Sequence, residues 1–204
     1  MREYKDLTEI FPSNFKFGNY VIRNIFADNI IDSSVAAFYN CSSDLEKDHT
    51  IFLSTKINDT VQCVMSNNLF EKLTNQNFID TARGDVIVFG LGLGLILFPL
   101  LEDDEISSIT VIDNSIDIID NIGPIIKNYD VNNKLTIIQG DVFTHYQQLN
   151  EMKFDVMYFD YWNIVDSTIQ TDMEMLKELY KNNIKETGQI MYWCEDLFTN
   201  GIIN

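Results

Sequence analysis

Residues 86–98 read VIVFGLGLGLILF, an apolar run interrupted by Gly90, Gly92 and Gly94 at alternate positions. DVIVF (85–89), rich in β-branched residues, reads as a strand, and LILFPLL (95–101) beyond the glycines reads as a helix. Glycine at such a junction serves either of two ends. It permits a tight strand-to-helix turn, or it leaves bare backbone and free N–H groups for a ligand. The stretch by itself does not choose between them.

The segments that follow decide the fold class. SSITVID (107–113), KLTIIQGD (134–141), FDVMYFD (154–160) and GQIMYWC (188–194) read as four more strands. SIDIIDNIGPIIKNY and STIQTDMEMLKELYKNNI carry helical patterns between them. This alternation predicts right-handed βαβ crossovers and an α/β, Rossmann-like, mostly parallel sheet of about five strands, with helices on both faces. The strands are almost continuously apolar, as strands buried on both faces are. Gly123-Pro124 predicts a break or kink in its helix, because proline has no N–H and disfavours a helical residue before it. Ser167 or Thr168 is placed to cap the last helix, and Gly188 to help end the connection after it.

The first residues read differently. YVIRNIFA (20–27), HTIFLSTK (49–56) and VQCVMS (61–66) look like short strands with polar turns between them. NNLFEKLTNQNFIDTA (67–82) looks like an amphipathic helix leading into the first parallel strand. The predicted organisation is a small β-rich N-terminal extension over residues 1–66, packed on a Rossmann-like domain over residues 67–204. No Pro/Ser-rich linker separates the two.

Composition narrows the chemistry. A formal net charge of −17 repels phosphate backbones and anionic lipid, and no Lys/Arg cluster interrupts it, so nucleic acid is not an expected partner. No run approaches the roughly 20 apolar residues of a membrane helix, and no signal-peptide core follows the N-terminus, so a cytoplasmic protein is expected. Cys41, Cys63 and Cys194 are widely spaced, and His49 and His145 are isolated, which predicts reduced thiols and no metal site. There is no P-loop lysine, no serine elbow and no [DN]PP[YFW] signature, and GLGLG is one residue out of step with GxGxxG.

Acids at the strand ends give the glycines a context. Asp113 ends the second strand about 20 residues past the glycines, where a carboxylate can accept both hydroxyls of a ribose or can simply cap a helix. Asp141 follows the third strand, placed for an exocyclic amine or for an ordinary turn. Asp160 ends the fourth strand, with Tyr161 and Trp162 after it to stack on a ligand or to fill the core.

DVIVFGLGLG, VIDNS, QGDVF and FDVMYFDYW, in this order, resemble the S-adenosylmethionine-binding motifs of class I (Rossmann-like) methyltransferases over residues 84–194. The stretch from Met65 to Gly94 is similar to the spermidine synthase-like branch, in which a β-rich piece precedes the same domain. The resemblance implies a transferase that binds S-adenosylmethionine, or its decarboxylated form in that branch. Gly90, Gly92 and Gly94 would approach the methionine part, Asp113 with Asn114 the ribose, and Asp141 with Val142 the adenine. Asp160 would stand beside the reacting centre, with Tyr161 as its catalytic neighbour. It further implies a small-molecule substrate, which in the aminopropyl-transferring branch is cationic.

Some positions depart from the family pattern. Val88 stands where many members have an acid, and Asn163 where the aminopropyltransferases have a second aspartate; Asp166 is out of register. Glu71 aligns with an N-terminal glutamate of that branch only across a gap. The chain stops about ten residues after the fifth strand, without the usual C-terminal hairpin. The expected consequence is an open sheet edge that invites the N-terminal extension or a second copy of the chain. Three readings stay open: a small-molecule methyltransferase, an aminopropyltransferase-like enzyme, and a cofactor-binding scaffold without catalysis.

Overall fold

The computed structural model describes residues 2–28, 31–41, 47–162 and 168–202. The first strand to form the N-terminal sheet, β1 (Phe15–Phe17), follows a short helix α1 (Leu7–Ile10). β2 (Tyr20–Ala27), helix α2 (Ser33–Phe38), β3 (Asp48–Ile57) and β4 (Thr60–Ser66) complete this unit. The four strands pair antiparallel in sequential order; short turns join β1 to β2 and β3 to β4, and the segment carrying α2 joins β2 to β3. α1, α2 and β1 are too short for periodicity to show in the sequence.

Helix α3 (Leu69–Thr81) leads into β5 (Gly84–Phe89), as expected. Asn68 caps α3, its side chain accepting the Glu71 N–H at 2.9 Å. α4 (Leu97–Leu101), β6 (Ile106–Asp113), α5 (Ile116–Lys127) and β7 (Leu135–Gln139) follow. A 3-10 turn (His145–Gln148), β8 (Phe154–Phe159), α6 (Thr168–Tyr180), β9 (Ile184–Tyr192) and α7 (Glu195–Thr199) complete the described elements. The second sheet is five-stranded and all parallel, in the order β7-β6-β5-β8-β9, with β5 at its centre. This is the expected Rossmann-like α/β fold.

Alternate residues of the central strands feed two separate cores. Val86, Val88, Val156 and Tyr158 pack with Phe78 of α3 and with Ile122 and Ile126 of α5. Ile87, Phe89, Met157 and Phe159 pack on the other face with Leu176 and Tyr180 of α6. The sheet is therefore apolar on both faces, which explains the uninterrupted hydrophobic lettering of its strands. Val88 is fully buried in the first of these cores.

Three local expectations are corrected. The helix read over residues 95–101 is only Leu97–Leu101, because the glycine turn continues to Gly94, whose carbonyl accepts the Leu97 N–H. α5 runs through Pro124 without a break. Gly123 before the proline has no Cβ to crowd its ring, and Pro124 lies in the last turn, where one lost backbone bond matters least. Gly188 lies inside β9, which starts at Ile184, and does not end the connection. Asn183 makes that turn, donating to the carbonyls of Asn150 and Met152 at 3.3 and 3.0 Å. Ser167, Asn163 and Asp166 lie outside the described residues.

The N-terminal sheet shares the first core, through Ile22, Ile51 and Leu53. Arg2 pairs with Asp103 across the seam, and within the larger unit Tyr158 Oη and Trp193 Nε1 donate to Asn75 and Thr74 of α3 at 2.7 and 2.8 Å. The small sheet sends side chains over the C-terminal ends of the parallel strands, Tyr20, Thr55, Val64 and Met65 among them.

Candidate active site

The C-terminal ends of the five parallel strands open into one cavity of about 280 Å³. Gly90 follows β5, Asp113 ends β6, Gly140 follows β7, Asp160 follows β8 and Trp193 follows β9; all five line it. The strand order reverses between β5 and β8, which is where open α/β sheets leave a crevice.

Gly90 shows why this crevice needs glycine. Its φ is +111°, and a Cβ there would collide with the backbone carbonyl of Asp160. The β5 and β8 ends approach so closely that Asp160 N–H also bonds the Phe89 carbonyl at 2.8 Å. Gly92, at φ +49°, lies against the thioether of Met65, whose sulfur accepts the Leu93 N–H at 2.8 Å. The N-terminal sheet thus touches the glycine loop directly, and Tyr20, Thr55 and Val64 line the cavity beside Met65.

Asp113 is 8% exposed and already holds backbone. One carboxylate oxygen accepts Leu91 N–H and the other Ser115 N–H, both at 2.8 Å. Burial raises its pKa, and these bonds work in the opposite direction. An ionised carboxylate has about four acceptor positions, so two bonds leave capacity facing the cavity. The turn and ligand readings of Asp113 are therefore compatible.

Two carboxyl groups with no cationic partner share the cavity. Glu71 is 9% exposed, and its pKa is pushed up to about 8, first by burial and then by the charge of Asp160. Its carboxylate accepts the Ser66 N–H over a long 3.5 Å. Asp160 reaches solvent only partly, and burial lifts its pKa to about 7. Among the described residues that line the cavity there is no Lys, Arg or His. Trp162 contributes an indole Nε1 that is buried and has no hydrogen-bond partner.

No protein-family model matches the sequence, and no curated protein does. Solved structures with a similar backbone include an S-adenosylhomocysteine-bound methyltransferase of Podospora anserina, at 17% identity and a TM-score of 0.49 over 68% of this chain and 56% of that one. A spermidine synthase in complex with a transition-state analogue matches at 14% identity and a TM-score of 0.48, over 69% and 53% of the two chains. An S-adenosyl-L-methionine-dependent methyltransferase of Geobacter sulfurreducens, in complex with S-adenosyl-L-homocysteine, matches at 22% identity and 0.44, over 59% and 47%. In each case the matched region spans about half of the neighbour's own length.

The structure brings most of the sequence-predicted residues together. Gly90, Gly92, Asp113, Asn114, Val142, Asp160 and Tyr161 all line the cavity. Gly94 and Asp141 do not. Gly94 packs against Ile126 of α5. Asp141 is exposed and organises its own turn, accepting Phe143 N–H at 2.9 Å on its side chain and His145 N–H at 2.8 Å on its carbonyl. Tyr161 faces the cavity, but its hydroxyl donates to Asp172 at 2.7 Å, so its ring is what it offers. Sequence reasoning missed Tyr20, Thr55, Val64, Met65, Asn75, Gly140 and Trp193. A short antiparallel sheet read alone does not say which face meets a ligand. No described helix is long and apolar enough to cross a membrane.

Proposed function

We propose that the protein binds S-adenosylmethionine in this cavity and transfers its methyl group to a small molecule. One observation carries the reading. A glycine loop, a ribose-ready carboxylate and a cation-free acidic wall converge at the switch point of a parallel sheet. The cavity suits a sulfonium nucleoside: backbone at Gly90 and Gly92 admits close approach, and Glu71 and Asp160 can release their protons beside a ligand cation, with no cation among the described lining residues to compete. When bound, such a ligand supplies an electrophilic alkyl group on sulfur.

The chain's own residues then have defined tasks. Gly90 and Gly92 would face the amino-acid end, Asp113 with Asn114 the ribose, and Gly140 with Val142 the adenine. Asp160 would stand by the reacting centre, where it orients or deprotonates the nucleophile. Tyr161 and Trp162 would wall the acceptor, so that positioning supplies much of the rate. Calorimetric titration with S-adenosylmethionine tests the proposal: a saturable one-to-one isotherm is expected. Absence of both heat and thermal stabilisation would overturn it.

A second reading is favoured by the same lining. With no Lys or Arg among the described lining residues to receive the α-carboxylate of S-adenosylmethionine, and with Leu93 N–H engaged by Met65, the decarboxylated form meets less repulsion. Aminopropyl transfer to a cationic acceptor then replaces methyl transfer. Titrating the two forms side by side distinguishes them.

A further inference from the structure

The turn after β7 holds a polar atom that the fold leaves unused. His145 opens the 3-10 turn and is 3% exposed, and its Nδ1 is enclosed with no hydrogen-bond partner among the described residues. Native folds pair nearly all such groups, so an exception asks for a partner from outside the chain. The segment that carries it is firmly held. His145 N–H bonds the Asp141 carbonyl at 2.8 Å, and Tyr180 Oη donates to the Val142 carbonyl at 2.6 Å. The Asp141 side chain, meanwhile, is exposed and spent on Phe143 N–H.

Gly140 explains how a ligand reaches that atom. It lines the cavity, and a Cβ built on it would stand 2.4 Å from His145 Nδ1. Ile112 flanks the same spot, its methyl carbon 3.1 Å from that position, and Ile112 also lines the cavity. The bare Cα of Gly140 therefore leaves Nδ1 at the cavity floor, where any side chain would cover it. Burial lowers the pKa of His145, so the ring is neutral near pH 7, with one nitrogen donating and the other accepting. A buried N–H without an acceptor is the rarer defect, so Nδ1 carries the lone pair and is open to a donor.

We infer that His145 Nδ1 reads the nucleobase, accepting a hydrogen bond from the exocyclic amine of adenine. This rests on the proposed S-adenosylmethionine site, in which Gly140 and Val142 face the base, and it names the residue that makes the site specific for that base. Position along the chain favours Asp141 for the amine. The folded turn instead gives Asp141 to the backbone and brings His145 under Gly140. A purine with a carbonyl in place of the amine would set two lone pairs against each other. A site built to accept a hydrogen bond rejects a ligand that cannot donate it.

The experiment titrates the full chain with S-adenosylhomocysteine and, separately, with S-inosylhomocysteine, which carries the carbonyl in place of the amine. Calorimetry reads the two affinities. Nitrogen NMR of the histidine rings follows the same titrations, and the chain has only two histidines to distinguish. The expected result is a preference of roughly tenfold or more for the adenine form. With it comes an upfield shift of the His145 Nδ1 signal that the inosine form does not produce. His145→Leu is expected to bring the two affinities within about threefold of each other, by weakening the adenine form. Equal affinities in the unaltered protein, an Nδ1 signal that S-adenosylhomocysteine does not move, or a preference that survives in His145→Leu overturns the inference and leaves the nucleoside site standing. The first two readouts need no variant. Failure of the unaltered protein to bind S-adenosylhomocysteine removes the site reading and the inference with it.

Discussion

The two ends of the parallel sheet each carry a pair of acids, and the pairs are treated in opposite ways. At the N-terminal end, Asp85 of β5 and Asp155 of β8 share Lys185, whose Nζ lies 2.8 and 2.7 Å from them. Ser108 also donates to Asp85 at 2.7 Å, and Lys185 leads the causes that hold both carboxyls below the usual aspartate range. At the C-terminal end, Glu71 and Asp160 have no cation, and both are pushed up. The lesson is that acidity alone marks nothing. An acid answered by the protein's own lysine is already neutralised, whereas an acid left unanswered in a cavity is available to something else.

The largest effect expected to sharpen this contrast is in the pH dependence of stability. Glu71 rises from 4.5 to about 8 and Asp160 from 3.8 to about 7, so the folded state keeps protons that the unfolded chain has released. Their contribution is complete below the unfolded values and is lost as pH rises through this window, at up to about 1.4 kcal/mol per pH unit for each group. Asp85 and Asp155 are shifted downward, so their contribution is present above 3.8 and lost as pH falls through their folded values. Urea unfolding across pH should therefore show decline on the alkaline side, and Glu71→Gln should flatten it. An unchanged slope in that variant would mean that Glu71 is not protonated in the fold.

Gly90→Ala comes next. The added Cβ meets the Asp160 carbonyl at a backbone angle that disfavours side chains, so a loss of about 2–4 kcal/mol in urea unfolding is expected, together with loss of nucleoside binding. Asp113→Ala leaves the Leu91 and Ser115 N–H groups without their acceptor, at about 1–3 kcal/mol, and should weaken nucleoside affinity at least tenfold by calorimetry. An unaltered affinity there would make Asp113 a scaffold acid like those at the opposite end. The smallest effect belongs to Lys185→Met. Its charge is solvent-exposed, so a slight drop in Tm that shrinks further in high salt is expected, with ligand affinity unaffected.

Much of this architecture was legible in the sequence, for physical reasons. Strands buried on both faces write their burial as unbroken apolar runs, and alternation with helical periods forces parallel crossovers, so β5, β6, β7 and β8 were read nearly as they stand. Asp113 and Asp160 were legible because strand ends in such a sheet point at one crevice. Asp141 followed the same positional logic, yet local turn geometry claimed it. Gly94 was grouped with its neighbours by spacing, although α5 packing explains it. Met65 and Tyr20 were not legible as lining residues, because alternation in an antiparallel sheet gives two faces and does not label them. Glu71 was visible only as an uncertain alignment; its significance comes from tertiary burial beside Asp160.

The pairing of β5 with β8 has a consequence for the order in which the molecule is assembled. β1 with β2 and β3 with β4 pair as local hairpins, and β2 meets β3 across residues 28–47, whereas Val86 must wait for the more distant Val156 to reach it. Tyr158 meets Asn75 across an even longer separation of 83 residues. Contacts that close such long loops form late. The cavity is thus a finishing step of folding: its roof can form early, but its floor and the seam that carries Glu71 arrive together. Ligand binding during refolding should appear only in the slowest kinetic phase, and it would report completion of the whole sheet.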